Sequence, residues 1–276
     1  MFAHRLFKYF LQAIICVLFV FSASGQKDSA FVLVRTITGD IADFTTDNLG
    51  NLFLIGERQQ VKKLDNNFDS VGLFNDVRRY GKLYSVDASN PLKVLLYYRE
   101  FSTIVVLDRF LNTRNTIDLR QSDIFQCRAV SLSYDNNIWV FDDLEYKIKK
   151  LDEAGKPILE TTDFRMLFDN PPRPNRIEDF NKYLYIYDST KGLFIFDYFG
   201  ALKNQVALKG LKDVQGFSKG IIARDATGLV YYEPATIVTT HQNLPVRIAS
   251  AIKIRIVGNK LYSMPTTGII EVYTLP

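Results

Sequence analysis

Histidine and cysteine are scarce in this 276-residue chain, and beyond residue 25 only His241 and Cys127 remain. A zinc site of the common kinds needs several such ligands together, and a Ser-His-Asp relay needs a histidine base beside its nucleophile. One isolated histidine supplies neither. A lone cysteine cannot form an intrachain disulfide, and Cys127 stands at the entrance of a predicted strand, where it reads as a small core residue. Glycine is too dispersed for a phosphate cradle: Gly210, Gly216 and Gly220 have neither the spacing nor a following helix. No apolar run after residue 25 approaches the ~18 residues that a membrane helix requires. A large charge of one sign is absent as well. Residues 1–25 carry two basic side chains, Arg5 and Lys8, and no acidic ones, so without them the formal net charge falls from +4 to +2. Bulk attraction to nucleic acid does not follow from so small a value.

What the amino terminus does carry is a leader pattern. His4, Arg5 and Lys8 precede the apolar run from Ala13 to Phe21, and Ala23, Ser24 and Gly25 supply the small residues a signal peptidase needs. The pattern predicts a secretory signal peptide over residues 1–25, cleaved near Gly25–Gln26, and an exported mature chain that is periplasmic or associated with the outer membrane. Cys16 offers a lipid-anchor alternative, but Ile15 stands before it where a small residue belongs. Residues 26–276 are expected to form a single domain.

That domain is written as a repeat. A short apolar strand closed by an acidic or aromatic residue recurs at Val61–Asp65, Ile104–Asp108, Ile148–Asp152, Leu193–Asp197, Leu229–Glu233 and Ile269–Tyr273, in steps of 43, 44, 45, 36 and 40 residues. Another strand precedes each: Leu52–Ile55, Lys93–Tyr98, Ile138–Phe141, Leu184–Tyr187, Ile221–Ala223 and Lys260–Met264. Upstream again lies an innermost strand ending in turn residues, as at Asp47–Asn51, Asp135–Asn137 and Gly258–Lys260, where Asn and Gly accept the left-handed backbone of tight hairpins. Groups of four strands at a period near forty predict an all-β fold, a six-bladed β-propeller. The last unit stops after three strands, and Phe31–Ile37 is a strand without a blade; paired with Ile269–Leu275 it completes blade six and hides an edge. Phe44, Val86, Leu132, Phe180, Phe217 and Ile252 are expected at one equivalent inner position, packed between blades, with Trp139 and most Tyr and Phe in the same role.

The stretches DNLGNLFLIGERQQVKKLDNNF, Asp47–Phe68, and DNNIWVFDDLEYKIKKLDEAGK, Asp135–Lys156, resemble NHL-type and related six-bladed propeller repeats of bacterial envelope proteins. Blades two, five and six depart from the pattern. The resemblance implies the fold; in function such propellers include binding scaffolds, lactonases and lyases. Metal-dependent lactonases of this architecture gather acidic and amide ligands at the centre of one face. Asp43, Asp87, Glu178 and Asp179 are the acidic residues on innermost strands here, and they sit on blades one, two and four.

In a propeller the connections between second and third strands share a face with those linking blades, and here these loops are the longest. They carry Arg78-Arg79-Tyr80, residues 120–128, residues 163–176, Lys209–Asp213 and Thr240–Arg247. Arginine-bearing and aromatic loops on a rigid disc suit a protein partner. The candidate contact residues are Arg79, Lys82, Arg128, Arg165, Arg173, Arg176 and Arg247. Asp40, Lys82, Arg128, Arg176 and Asp213 enter the innermost strands of blades one to five, with Arg247 one place off register in blade six, and are expected around the channel mouth. No catalytic residue, metal or cofactor is assigned. The expected function is a non-enzymatic interaction scaffold of the cell envelope, an accessory of envelope secretion machinery; the alternative is a metal-dependent lactonase or lyase at the channel mouth.

Overall fold

The computed structural model describes residues 31–275; the expected leader, its cleavage point and Cys16 lie outside the described residues. Apolar stretches of four to six residues separated by Asp, Asn and Gly pair into antiparallel sheets of four strands. Blade one is β2 (Asp43–Thr46), β3 (Leu52–Ile55), β4 (Val61–Leu64) and β5 (Ser70–Phe74). Blade two is β6 (Ser85–Asn90), β7 (Lys93–Tyr98), β8 (Thr103–Asp108) and β9 (Thr113–Asp118). Blade three is β10 (Cys127–Leu132), β11 (Ile138–Asp142), β12 (Lys147–Leu151) and β13 (Pro157–Glu160). Blade four is β14 (Arg176–Phe180), β15 (Tyr183–Asp188), β16 (Gly192–Phe196) and β17 (Leu202–Val206). Blade five is β18 (Lys212–Phe217), β19 (Gly220–Arg224), β20 (Gly228–Glu233) and β21 (Val238–Asn243). Blade six joins β22 (Lys253–Val257), β23 (Lys260–Met264) and β24 (Ile270–Thr274) to β1 (Val32–Ile37), with Val32 opposite Thr274 and Ile37 opposite Ile270. The innermost strands adjoin in sequence, β2 to β6 and onward to β22, which returns to β2, so six blades close a ring with the predicted clasp.

Second and third strands are mostly buried, and β7, β11 and β16 read as near-continuous apolar runs for that reason, whereas β4 keeps Lys62 exposed. All of β7, β11 and β16 is buried. The clusters they form bridge blades: Trp139 and Phe141 of blade three pack with Phe194 and Phe196 of blade four. Buried lysines reinforce the seams. Lys63 Nζ donates to the Arg109 carbonyl of the next blade at 2.9 Å, and Lys93 reaches Glu153 of the next at 2.8 Å.

The acidic residue that closes each third strand caps the following turn. Asp65, Asp108, Asp152 and Asp197 each accept backbone N–H groups two and four residues on, for example Ala154 and Lys156 onto Asp152 at 2.9 and 2.8 Å. The third residue after each aspartate has positive φ: Phe68, Leu111, Gly155 and Gly200. Such self-bonded aspartate turns are a local device, and they account for the periodic Asp in the sequence.

The inner packing positions are less uniform than expected. Phe44 and Leu132 are buried, Val86, Phe180 and Phe217 are half-buried, and Ile252 precedes β22 and is 53% exposed. The cause is hairpin length. Five residues separate first and second strands in blades one and three, where Thr46 pairs Leu52 and Leu132 pairs Ile138. Two residues separate them in blades four, five and six, as Phe180 pairs Tyr183. Counting inward from the second strand therefore slips the register, and in a strand the register decides which face a side chain takes.

Candidate functional site

Each innermost strand sends alternate side chains into the axial channel. The four inner carboxylates considered as cation ligands are each engaged by the protein itself, Asp179 in the seam with blade three. Asp43 holds Lys253 Nζ at 2.7 Å, joining blade six to blade one. Asp87 accepts Ser131 Oγ at 3.0 Å and the Leu132 N–H at 2.8 Å across the next seam. Asp179 accepts from Ser133 Oγ, the Tyr134 N–H, Trp139 Nε1 and, at 2.6 Å, the Tyr198 hydroxyl. Glu178 pairs with Arg176. Among the described residues no three His, Cys, Asp or Glu side chains come together as a metal cluster. Cys127 is buried in the seam between blades two and three, and burial pushes its thiol up to about 12, so it is no nucleophile at neutral pH. His241 lies on the outermost strand β21, beside Asp225 at 3.1 Å.

The long-loop face brings three of the expected arginines together at blades three and four. Asp143, in the β11–β12 turn, takes Arg173 Nε at 3.0 Å and Arg128 Nη1 at 3.4 Å. Arg128 Nε also donates to the Arg173 carbonyl, at 3.2 Å. Arg165 is held by Asp163 two residues before it, at 2.6 Å, and its guanidinium and that of Arg173 both lie over the Tyr146 ring, at 5.1 and 6.0 Å. Burial alone would raise the Asp143 carboxyl, but Arg173 and Arg128 overcome it and hold it below the usual carboxylate range.

Backbone bonds make this one patch: the Asp143 N–H donates to Gln126 and the Phe164 N–H to Tyr146. Around the arginines stand Phe125, Leu144, Met166 and Leu167, 57, 49, 80 and 45% exposed.

The other expected residues are spread out. Arg79 is exposed on the one-turn helix Val77–Tyr80 that leads into blade two, over the Tyr80 ring at 5.1 Å, and Lys82 is exposed two residues past the end of that helix, before β6. Arg247 pairs with Glu271 on blade six. Asp40 accepts the Glu57 N–H and the Gln60 amide in a separate hollow of blade one. Arg176 turns into the channel, where burial would lower its pKa but Glu178 and Asp87 hold the guanidinium's pKa above the ordinary value. Asp213 is buried against Arg224 at 2.7 Å.

Two cations of the channel, Lys253 and Arg255, were not among the expected residues. With Arg176 and Asp213 they line a cavity of about 280 Å³ at the long-loop mouth. Their signal is the alternation Lys253-Ile254-Arg255-Ile256, a strand with one charged face. At the opposite mouth, the face of the short inner hairpins, a funnel of about 620 Å³ opens between Asp47, Ser89, Ser133, Tyr134, Phe180, Phe217 and Arg255.

No family model and no curated protein sequence matches the chain. Solved structures do. Virginiamycin B lyase from Staphylococcus aureus superposes with a TM-score of 0.62 at 8% identity, over 88% of this chain and 99% of that one. The Neurospora crassa Pan2 WD40 domain gives 0.57 at 10% identity over 92% of each chain. BBS1N, solved in complex with ARL6DN, gives 0.56 at 11% identity over 90% of this chain and 98% of that one. At these identities the likeness establishes the propeller fold, and function has to come from the site.

Proposed function

We propose that this chain is an exported, non-enzymatic propeller that holds a protein partner of the bacterial cell envelope on its long-loop face, as an accessory of envelope secretion machinery. One observation carries the reading: on blades three and four, Arg128, Arg165 and Arg173 are held in place by carboxylates and an aromatic ring amid exposed Phe125, Leu144, Met166 and Leu167. Arginine, aromatic and methionine side chains are the enriched chemistry of interface cores, and ordering them beforehand lowers the entropic cost of association. The leader pattern read at the amino terminus and the resemblance of two blades to envelope NHL-type repeats support the cellular setting. A propeller of similar fold has been solved with a protein partner, as BBS1N with ARL6DN.

The enzyme alternative draws on the lyase neighbours, one of which was solved as a catalytically inactive histidine-to-alanine variant with quinupristin. Here the one histidine past the leader is on an outermost strand, and the inner carboxylates are bonded within the protein. Both facts favour the scaffold.

The test is affinity purification of the tagged mature chain from its native envelope in mild detergent, alongside Arg128→Glu/Arg173→Glu. A stoichiometric partner is expected with the native chain and at least about tenfold less with the double variant. Equal recovery by both would overturn the assignment. The recovered chain should begin at Gln26 on amino-terminal sequencing.

A further inference from the structure

Each blade ends in an outermost strand with one edge turned to solvent, and such an edge is a template for pairing with another chain. Five of the six described here carry a guard. The register of β5, β9, β13, β17 and β1 against its inner neighbour shifts partway along, and an irregularity of this kind turns an edge away from flat pairing. Charge adds to it at Arg114 and Asp118 of β9, Glu160 of β13, Lys203 of β17 and Arg35 of β1. β21 has neither device. Its residues Val238-Thr239-Thr240-His241-Gln242-Asn243 pair with β20 in unbroken register, include no Lys, Arg, Asp or Glu, and are all exposed. Val and Thr suit extended backbone, and among the described residues no strand pairs with the outer edge. The Leu244 N–H donates to the Thr227 carbonyl at 3.0 Å, so by the alternation of an antiparallel ladder the N–H and C=O of Thr239, His241 and Asn243 point outward.

The apolar side chains left in water stand at the two ends of this strand. Ile237 and Val238 open it, and Val246 follows it on the one-turn helix Val246–Ala249, 83% exposed. Ile237 is 70% exposed and holds φ at +57°, a left-handed backbone that a β-branched residue takes only at a cost and that Gly takes freely. A residue kept against local stability points to a role outside its own turn. Two copies of β21 running antiparallel about a two-fold axis lay the start of each strand beside the end of the other, which brings Ile237 and Val238 of one copy to Val246 of the second. Near the axis each residue faces its own equivalent, so a fixed charge there would meet its like. This strand has none to meet.

We infer that β21 is a self-recognition edge, through which two copies of this chain pair antiparallel into a dimer with one sheet running through both fifth blades. The contact uses up the edge it is made from, so it closes at two copies. A strand of six residues is ~20 Å long, which puts the contact at the small end of specific interfaces and its Kd at about 1–100 µM. It lies on the rim of blade five, outside the arginine patch of blades three and four, so a dimer presents two patches at once. It goes beyond the partner reading, and either can fail without the other.

Sedimentation equilibrium of the mature chain from about 2 to 500 µM tests it, and a monomer–dimer equilibrium is expected. Thr239→Pro removes an outward N–H and no bond to β20, and Thr240→Glu sets like charges together near the axis. Each should weaken the dimer at least about tenfold while keeping the circular dichroism spectrum of the native chain. Thr240→Lys should weaken it likewise, whereas an equimolar mixture of Thr240→Glu and Thr240→Lys should restore a dimer of native affinity or tighter, which a folding defect could not do. Should Thr239→Pro not fold, the two Thr240 variants carry the test. A native chain that stays monomeric throughout, assembly beyond the dimer, native affinity in Thr240→Glu or in a folded Thr239→Pro, or a mixture that fails to associate, overturns the inference.

Discussion

Asp143 shows how one residue organises a surface, because it gathers Arg128 and Arg173 from two separate segments. Its carboxyl lies below the usual range in the folded chain. A depressed carboxylate contributes stability above its unfolded-state pKa, near 4, and that contribution is lost as pH falls through the lower folded value. The melting temperature of the native chain should therefore drop more between about pH 6 and pH 3 than that of Asp143→Ala, as followed by circular dichroism. A parallel loss by both proteins would remove Asp143 from the account.

The buried pair Arg224–Asp213 predicts a larger effect. Arg224 and Asp213 are 2 and 8% exposed, so Arg224→Met strands a buried carboxylate and should cost about 3–5 kcal/mol in denaturant unfolding. At this scale the sequence was informative about loop arginines but silent about their partners. Arg128, Arg165 and Arg173 could be placed on one face from loop position alone, whereas Asp143 and Tyr146 sit on a different hairpin, and only the folded blade brings them together. Arg176 and Arg247 occupy comparable loop ends, yet one enters the channel and the other pairs with Glu271.

Among the elements, the third-strand hairpins were the most legible. Their register is fixed within five residues by an aspartate that bonds its own turn, so the period survives in the sequence at Asp65, Asp108, Asp152 and Asp197. Asp152→Ala removes two such bonds from the turn that places Gly155 at positive φ, and should cost about 1–2 kcal/mol in the same unfolding assay. An unchanged midpoint would mean the turn needs no cap. The innermost strands were legible only in outline. Their hairpins have two lengths, five residues in blades one and three and two residues in blades four, five and six, and Ile252, expected inside, lies exposed ahead of β22. Arg255 escaped notice for the same reason: a one-sided charged strand is visible as alternation, but the side it turns toward depends on the slipped register.

The whole molecule depends on β1 closing the ring. Val32–Ile37 completes blade six against β24, and the inner seam is tied by Lys253 to Asp43 and by the Tyr262 hydroxyl to the Gly50 carbonyl. Deleting residues 26–37 bares the edge of β24, and the truncated chain should lose at least several degrees of melting temperature and associate with rising concentration in sedimentation. A monomer of native stability would show the clasp to be dispensable.

A closed ring is stiff, and on the proposed function that stiffness is what would let the patch on blades three and four serve as a preformed docking surface. Two residues on neighbouring blades or hairpins separate this idea from its opposite. Met166 stands in the long-loop patch at 80% exposure, and Phe199, on the other face of blade four, is 87% exposed. A photo-crosslinking amino acid placed at either position in the native envelope should capture one specific protein from position 166 and none from 199; capture from 199 alone, or from neither, would contradict the docking face.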